Sequence, residues 1–200
     1  MKTIIVTGTP GTGKTIIAKK LAKKLNYYYL DVHRLISKHK LTESYDKKRK
    51  TKIIDITKLN RFLIREIDFF KKYNIIENAS MSKARSTNTL KNYNIKKSIN
   101  NKTSNKKLNK KIKGLVIDSH LSHYLPSKYA DFCIVTKCDI EELNKRLKKK
   151  KFHKNKIIEN LQAEIFDVCC NEAIKRKHNI LVVNTTKGFN ISSVVKRLGG

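Results

Sequence analysis

The sequence contains no apolar run long enough to span a bilayer, for which about 20 consecutive apolar residues are needed. It also has no amino-terminal secretory signal, because its first residues form the first predicted strand. These absences argue against a membrane-embedded or secreted protein, so we expect a cytoplasmic protein with no membrane partner. A length of 200 residues is enough for one compact α/β domain and leaves little room for a second.

Acidic residues are scarce, with 16 against 46 lysines and arginines, which gives a formal net charge of +30. So large a positive charge favours attraction to RNA or to a ribosomal surface. The abundance of lysine, asparagine and isoleucine equally fits an AT-rich genome, and both interpretations stay open. The lysine runs contain few arginines and few aromatic residues, so they do not indicate a sequence-specific RNA-binding protein.

The cysteines give no sign of a zinc site. Cys133 and Cys138 are separated by four residues, and Cys169 and Cys170 are adjacent in a predicted helix. We interpret neither spacing as a zinc pair and expect buried, reduced thiols.

One complete motif stands near the amino terminus. A β-branched apolar run leads into G-T-P-G-T-G-K-T at residues 8–15, and apolar residues at helical spacing follow. Gly11 and Gly13 allow the backbone to approach a phosphate closely, and the loop amides converge on it at the positive end of the next helix. Lys14 should reach the outer phosphates, and the Thr15 hydroxyl should bind Mg²⁺. The motif therefore predicts a site for ATP and magnesium, the alternative being a chance glycine-rich turn.

Strands alternate with helices along the rest of the chain. This order predicts a doubly wound parallel sheet of about five strands, flanked by helices, with the nucleotide at the carboxyl ends of the strands. After the first strand we expect strands at residues 27–32, 114–118, 129–136 and 179–184. We expect helices at residues 16–25, 35–41, 58–72 (capped by Thr57), 140–147 (capped by Asp139), 157–174 and 191–198. A polar segment at residues 42–50 and a short extended piece at residues 51–55 complete the pattern.

Residues 78–113 differ in composition from the rest of the chain. They hold ten lysines, one arginine, eight asparagines and no acidic residue. Low hydrophobicity and high like charge predict a disordered or weakly helical basic insertion. It is interpreted either as a surface loop without a task or as an arm that contacts RNA.

A carboxylate is needed to orient the water shell of the magnesium ion, and Asp118 ends an apolar strand at a suitable place. A strand-end aspartate can also simply cap a turn. His120 can position a water or act as a general base, although a lone histidine is more often structural. Arg146 and the lysines at residues 148–151 provide cations for a lid or, equally well, a solvated helix end.

Four features occur along the chain in the following order: the phosphate loop, Y-D and I-D at residues 45–46 and 54–55, D-S-H at residues 118–120, and N-L-Q-A-E-I-F at residues 160–166. This series resembles the adenylate-kinase-like family of archaea and eukaryotes, whose members also serve as maturation factors of the small ribosomal subunit. The resemblance covers nearly the whole chain except residues 78–113, and its last two elements are particular to this family.

The resemblance implies a nucleoside monophosphate kinase that moves the terminal phosphate of ATP to AMP, with a separate ATPase activity. It also implies transient binding of a small-subunit ribosomal protein during late maturation of the subunit and its rRNA. Residues 31–54 would form the monophosphate-binding segment and residues 149–159 the lid, with Lys150 contacting ATP. The residues implied to act on ATP, magnesium or hydrolysis are Gly11, Gly13, Lys14, Thr15, Ile16, Asp118 and His120.

The sequence departs from the family pattern at two places. The family usually has an arginine, a glycine and an aromatic residue in the lid, where this chain has Lys150, Lys151 and Phe152. Lysine keeps the charge but lacks the bidentate geometry of arginine. Ser37 stands where the family often has an arginine, so either Arg34 or Lys38 is a candidate for contacting the AMP phosphate.

Three functions remain open at this stage. The first is a nucleoside monophosphate kinase of broad specificity. The second is an ATP-dependent switch in ribosome assembly with negligible kinase activity, and the third is an unrelated RNA-binding P-loop NTPase.

Overall fold

The computed structural model describes residues 1–47, 51–80 and 113–199, without the side chains of residue 51 and residues 73–80. Most of the predicted basic insertion, residues 81–112, therefore lies outside the described residues. The strands are β1 (Lys2–Gly8), β2 (Tyr28–Asp31), β3 (Thr42–Asp46), β4 (Thr51–Ile54), β5 (Gly114–Asp118), β6 (Phe132–Lys137) and β7 (Ile180–Asn184). The helices are α1 (Lys14–Leu25), α2 (Val32–Lys38), α3 (Ile56–Ser80), α4 (Ile140–Lys149), α5 (Lys154–Ile165), α6 (Val168–Lys175) and α7 (Ile191–Arg197).

The main sheet has five strands in the order β2-β5-β1-β6-β7, and every pairing within it is parallel. The prediction of a doubly wound parallel sheet is thus confirmed. The central strands β1 and β5 are apolar and buried because helices cover both faces of the sheet. Parallel strands bring their carboxyl ends to one edge, where the loops after β1 and β5 meet.

Two layers of helices enclose the sheet. Helices α1 and α7 pack on one face, where Ile17, Leu21 and Val194 contact the side chains of β1, β5 and β6. Helices α3 and α6 cover the other face through residues such as Leu63 and Ala173. A smaller cluster joins α4 to α5 around Leu143 and Leu147.

The segment between β2 and α3 was predicted only in part. The extended piece at residues 51–55 is strand β4, but the polar stretch before it is also a strand, β3, which pairs with β4 in an antiparallel hairpin. Its side chains are mostly exposed, so no alternation of apolar residues marked it. Helix α2 begins at Val32, three residues earlier than predicted, because Asp31 caps it by accepting a hydrogen bond from the Arg34 amide.

Helix α3 begins before, and ends after, the predicted span of residues 58–72. Thr57 is not its cap: the Lys58 amide donates to Asp55 Oδ1 at 2.9 Å, so Asp55 caps the helix. The described backbone remains helical through Ser80, which includes the first three residues of the predicted insertion.

The predicted helix at residues 157–174 is two helices, α5 and α6. Asp167 interrupts it with a φ of 53°, and its carboxylate forms an ion pair with Lys137 at 2.5 Å. Strand β6 begins at Phe132 rather than at residue 129, because 3₁₀ turns at Ser122–Tyr124 and Ser127–Tyr129 precede it. The cap of α4 at Asp139 is confirmed by its acceptance of hydrogen bonds from the Glu141 and Glu142 amides. Cys133 and Cys138 are buried as expected, whereas Cys169 and Cys170 are half-buried.

Candidate active site

The phosphate loop joins β1 to α1 and requires glycine for steric reasons. Gly11 and Gly13 have φ values of 99° and 88°, in the left-handed region that favours glycine. At Gly8, with a φ of 133°, a Cβ atom would lie 2.5 Å from both the carbonyl oxygen and the Oγ1 of Thr136. The loop therefore packs against β6 with no space for a side chain.

Hydrogen bonds among threonine residues hold the phosphate loop in place. Thr12 Oγ1 donates to the Thr9 carbonyl at 2.8 Å and lies 2.6 Å from Thr136 Oγ1. Thr136 Oγ1 donates to the Thr7 carbonyl at 3.1 Å, and Thr185 Oγ1 donates to the Thr12 carbonyl at 2.8 Å. The sequence motif gives no sign of Thr136 and Thr185, because they come from the ends of β6 and β7.

Arg146 extends this network to helix α4. Its guanidinium donates to the Thr185 carbonyl at 2.8 Å and to the Thr186 carbonyl at 3.2 Å, and it pairs with Glu142 at 2.8 Å. Arg146 is therefore fixed in place and is not an unattached cation of the lid.

Lys14 begins helix α1, and its Nζ donates to the Thr9 carbonyl at 2.8 Å. Burial lowers the pKa of Lys14 to about 8. At pH 7 most of the population therefore carries the positive charge, and a bound phosphate would favour that charge further. Thr15 and Ile16 follow in the first turn of the helix, and both are exposed.

Asp118 lies at the carboxyl end of β5, directly beside Val6 of β1. Its side chain is buried, and its Oδ2 accepts a hydrogen bond from the Tyr29 hydroxyl at 2.8 Å. Burial and the neighbouring Asp118 carboxylate raise the pKa of Tyr29, so the phenol stays protonated and donates. A carboxylate and the Thr15 hydroxyl near a phosphate loop are the oxygen ligands that Mg²⁺ prefers, so these residues fit that ion.

His120 follows Asp118 by two residues and is exposed. Although His120 remains accessible to solvent, the surrounding residues remove part of its hydration, which together with the charge of Lys14 lowers the pKa of His120 below its usual value. The imidazole is therefore neutral at pH 7, which suits it to orienting a water and makes it a weak base. His123, to which the sequence gives no role, is buried, and its Nδ1 lies 2.7 Å from Thr7 Oγ1.

A cavity of about 720 Å³ opens above the phosphate loop. We name it the donor cavity, because the motif predicts that ATP, the phosphate donor, binds there. Six of the predicted site residues line it: Gly11, Gly13, Lys14, Thr15, Ile16 and Lys150. Four further lining residues were not predicted from the sequence, because they belong to no motif: Lys20, Thr185, Gly188 and Phe189. Arg146 and Lys149 complete the wall.

A second cavity, of about 410 Å³, is lined in part by His120. We name it the acceptor cavity, because the family resemblance implies a second substrate that accepts the phosphate. Among the described residues, its lining contains two lysines, two histidines and no acidic side chain, and the charge of the lysines favours an anionic ligand. The basic residues are His33, Lys52, His120 and Lys156. The other lining residues are Ile36, Ser37, Tyr45, Ile54, Ile56 and Leu121. Neither sequence candidate for the AMP phosphate, Arg34 or Lys38, is part of this lining.

The end of α4, the turn that follows it and the start of α5 together reach both cavities, since Lys149 and Lys150 line the donor cavity and Lys156 lines the acceptor cavity. Lys156 Nζ also lies 4.9 Å from the centre of the Phe152 ring. Lys151 in this turn adopts a φ of 56°, in the left-handed region that suits glycine.

Comparison with known proteins places these features in a family. The pattern of the family described as "AAA domain" matches residues 4–167. A protein of Methanocaldococcus jannaschii named "Putative adenylate kinase" is 30% identical over 92% of this chain and 76% of its own length. The protein of the same name from Methanosarcina mazei is 32% identical over 90% of this chain and 77% of its own length.

The chain belongs to this adenylate-kinase-like family. It is a P-loop protein of the nucleotide-binding phosphotransferase type. Among solved structures, deoxyadenosine kinase from M. mycoides with bound dATP covers 100% of this chain, with a TM-score of 0.49 and 13% identity. So distant a likeness carries no argument about function.

Two kinds of feature are absent from the described residues. None of the helices described is long and apolar enough to cross a membrane. Within the described ranges, no group of histidine, cysteine and acidic side chains is arranged to hold a metal ion.

Proposed function

We propose that this family member is a nucleoside monophosphate kinase that transfers the terminal phosphate of ATP to AMP or a related monophosphate, forming two diphosphates. The observation that carries the proposal is the presence of two cavities with basic linings. The donor cavity contains the phosphate loop, and the acceptor cavity contains two lysines and two histidines. His120 lines the acceptor cavity and lies close enough to Lys14 for that charge to lower its pKa.

On the donor side, the loop amides and Lys14 would bind the outer phosphates of ATP. Thr15 and Asp118 would hold magnesium, which neutralises charge on the transferring phosphate when bound. Phosphoryl transfer depends mainly on positioning and on cations around the transferred group. The threonine network supplies the positioning, because it fixes the loop before the substrate arrives.

On the acceptor side, Lys52, Lys156 and His33 would bind the phosphate of the monophosphate. Lys52 comes from the hairpin and Lys156 from the predicted lid, so closing the lid would bring Lys156 toward the acceptor phosphate. In the part of the lining that the structure describes, no carboxylate or side-chain amide is present to read the edge of a base. Tyr45 and the isoleucines offer apolar contact to any base, which supports broad acceptor specificity.

The experiment is a coupled assay of ADP formation from MgATP across a panel of AMP, CMP, UMP and GMP. We expect turnover that requires a monophosphate, with less than about tenfold difference among bases. Phosphate release that proceeds equally well without any monophosphate would instead support an ATPase switch.

We also propose, from the family resemblance, a separate ATPase activity and a role in late maturation of the small ribosomal subunit, through transient binding of one of its ribosomal proteins. A neutral His120 beside the phosphate loop supports water activation, and the net charge of +30 supports contact with rRNA. His120→Ala should then impair hydrolysis more than AMP phosphorylation. Equal losses in both activities would contradict this role.

Deleting residues 78–113 should leave turnover nearly intact and reduce the salt dependence of RNA binding.

A further inference from the structure

The phenol of Tyr29 lies beside the carboxylate assigned to magnesium. Tyr29 is on the edge strand β2, and in the parallel register it pairs with Val116, while Asp31 pairs with Asp118. Side chains two residues apart on neighbouring strands share a face and are within reach of a long aromatic side chain. The Tyr29 hydroxyl accordingly donates to Asp118 Oδ2 at 2.8 Å.

The ring of Tyr29 is held by its neighbours. It packs into the cluster between the sheet and helix α1, where Val116 and Ile17 also lie. Lys19 of α1 places its Nζ 5.7 Å from the ring centre. The hydroxyl therefore reaches Asp118 from a ring fixed on one side by the sheet and on the other by the helix that carries Lys14 and Thr15.

We propose that Tyr29 is a positioning residue for the metal site: its hydrogen bond fixes the orientation of the Asp118 carboxylate toward the magnesium that accompanies ATP. The proposal rests on the proposed nucleotide site. A carboxylate on a strand end can rotate about its side-chain torsions, and a single donor to Oδ2 restricts that rotation. Outer partners of this kind tune metal affinity through the residue they hold, without touching the metal.

The test compares two identical substitutions on adjacent residues. Tyr29→Phe removes only the hydroxyl that binds Asp118. Tyr28→Phe is the matched control, because Tyr28 is turned to the opposite face of the sheet, where its ring lies 4.7 Å from that of Phe70. Mn²⁺ replaces Mg²⁺ as a paramagnetic probe, and its binding to the full chain with a non-hydrolysable ATP analogue is measured by electron paramagnetic resonance.

We expect Tyr29→Phe to weaken Mn²⁺ binding in the ternary complex by about tenfold. Tyr28→Phe should bind Mn²⁺ like the unaltered protein. The metal concentration for half-maximal ADP formation should shift in parallel, while the KM for AMP at saturating metal stays unchanged. Thermal unfolding of both variants shows whether a loss is specific, since a purely structural role would lower the melting temperature without shifting the metal dependence.

The outcomes separate the two levels of the hypothesis. If the unaltered protein binds no Mn²⁺ with nucleotide, the proposed function itself is wrong. If it binds Mn²⁺ and Tyr29→Phe binds equally well, the nucleotide site stands and the positioning role of Tyr29 is overturned.

Discussion

The donor and acceptor cavities are built in opposite ways. The donor cavity is organised by eight consecutive residues, whose backbone carbonyls accept hydrogen bonds from the hydroxyls of Thr12 and Thr185, and Arg146 in turn holds Thr185. The acceptor cavity collects single side chains from α2, the β3–β4 hairpin, the loop after β5 and helix α5. Its residues His33 and Lys52 are exposed, and Lys156 is half-exposed.

This difference indicates which interactions each cavity depends on for binding its ligand. A rigid cradle of amides loses function when one atom is displaced, since transfer depends on exact placement of the phosphate. A set of flexible lysines works by charge, so removing one weakens binding without changing the fold. Substitutions on the donor side should therefore affect every activity, and those on the acceptor side should affect acceptor binding alone.

Lys14→Ala should produce the largest effect. The charge at the outer phosphates is lost, so both AMP phosphorylation and ATP hydrolysis should fall by at least about 100-fold. Initial rates of ADP and phosphate formation measure the two losses. Lys23→Ala is the control, because Lys23 is exposed on the same helix and should leave both rates unchanged. Retained turnover in Lys14→Ala would show that the cradle does not bind the transferred phosphate.

Gly8→Ala should break the cradle through its backbone. The new Cβ would lie 2.5 Å from the Thr136 carbonyl at a φ of 133°, so we expect a loss of about 3 kcal/mol in the free energy of unfolding. Gly188→Ala is the matched control, since Gly188 has a φ of 90° but no atom within 4 Å of its would-be Cβ. It should lose only about 1 kcal/mol from backbone strain. Chemical denaturation measures both, and equal losses would mean that the loop can move away from β6.

Lys52→Ala and Lys156→Ala should each raise the KM for AMP by about tenfold, because each removes a charge-assisted contact to the acceptor phosphate. The KM for ATP should change less than about twofold, since neither residue lines the donor cavity. Steady-state kinetics with both substrates varied gives the two constants.

Arg34→Ala decides between this assignment and the one based on sequence. Arg34 is outside the acceptor lining, so its removal should change the KM for AMP less than either lysine does. A larger effect from Arg34→Ala than from both lysines would mean that helix α2 supplies the cation after all.

The same contrast explains how much could be predicted from the sequence. The phosphate loop, the parallel sheet and the position of Asp118 at a strand end were predictable, because a contiguous motif and apolar strands depend on local rules. Thr136, Thr185 and Lys52 were not, since each reaches the site through tertiary packing and lies more than 35 positions from the loop. Only strand β4 of the hairpin was predicted, because the exposed residues of β3 show no alternation of apolar and polar side chains.

The break between α5 and α6 shows a further limit. Nothing in the apolar spacing of residues 157–174 marks a helix end, and Asp167 is not a residue that usually ends a helix. The left-handed backbone at Asp167 accompanies its ion pair with Lys137 of β6, a partner 30 positions away. A tertiary contact thus accompanies the departure from local helical preference.

Lys151→Gly should give the smallest effect, with a sign opposite to that of the donor-side changes. Lys151 has a φ of 56° in the lid turn, where a side chain costs about 1 kcal/mol and glycine costs nothing. Since glycine also loses more chain entropy on folding, we expect a net gain of at most about 1 kcal/mol in the free energy of unfolding. Lys145→Gly removes the same charge from the interior of α4 and should instead lose about 1 kcal/mol. Because the two variants differ only in backbone conformation, opposite shifts in denaturation midpoint would attribute the effect to the turn. Equal shifts would attribute the change in stability to the lost charge, and Lys151 would then be tolerated in this turn for electrostatic reasons.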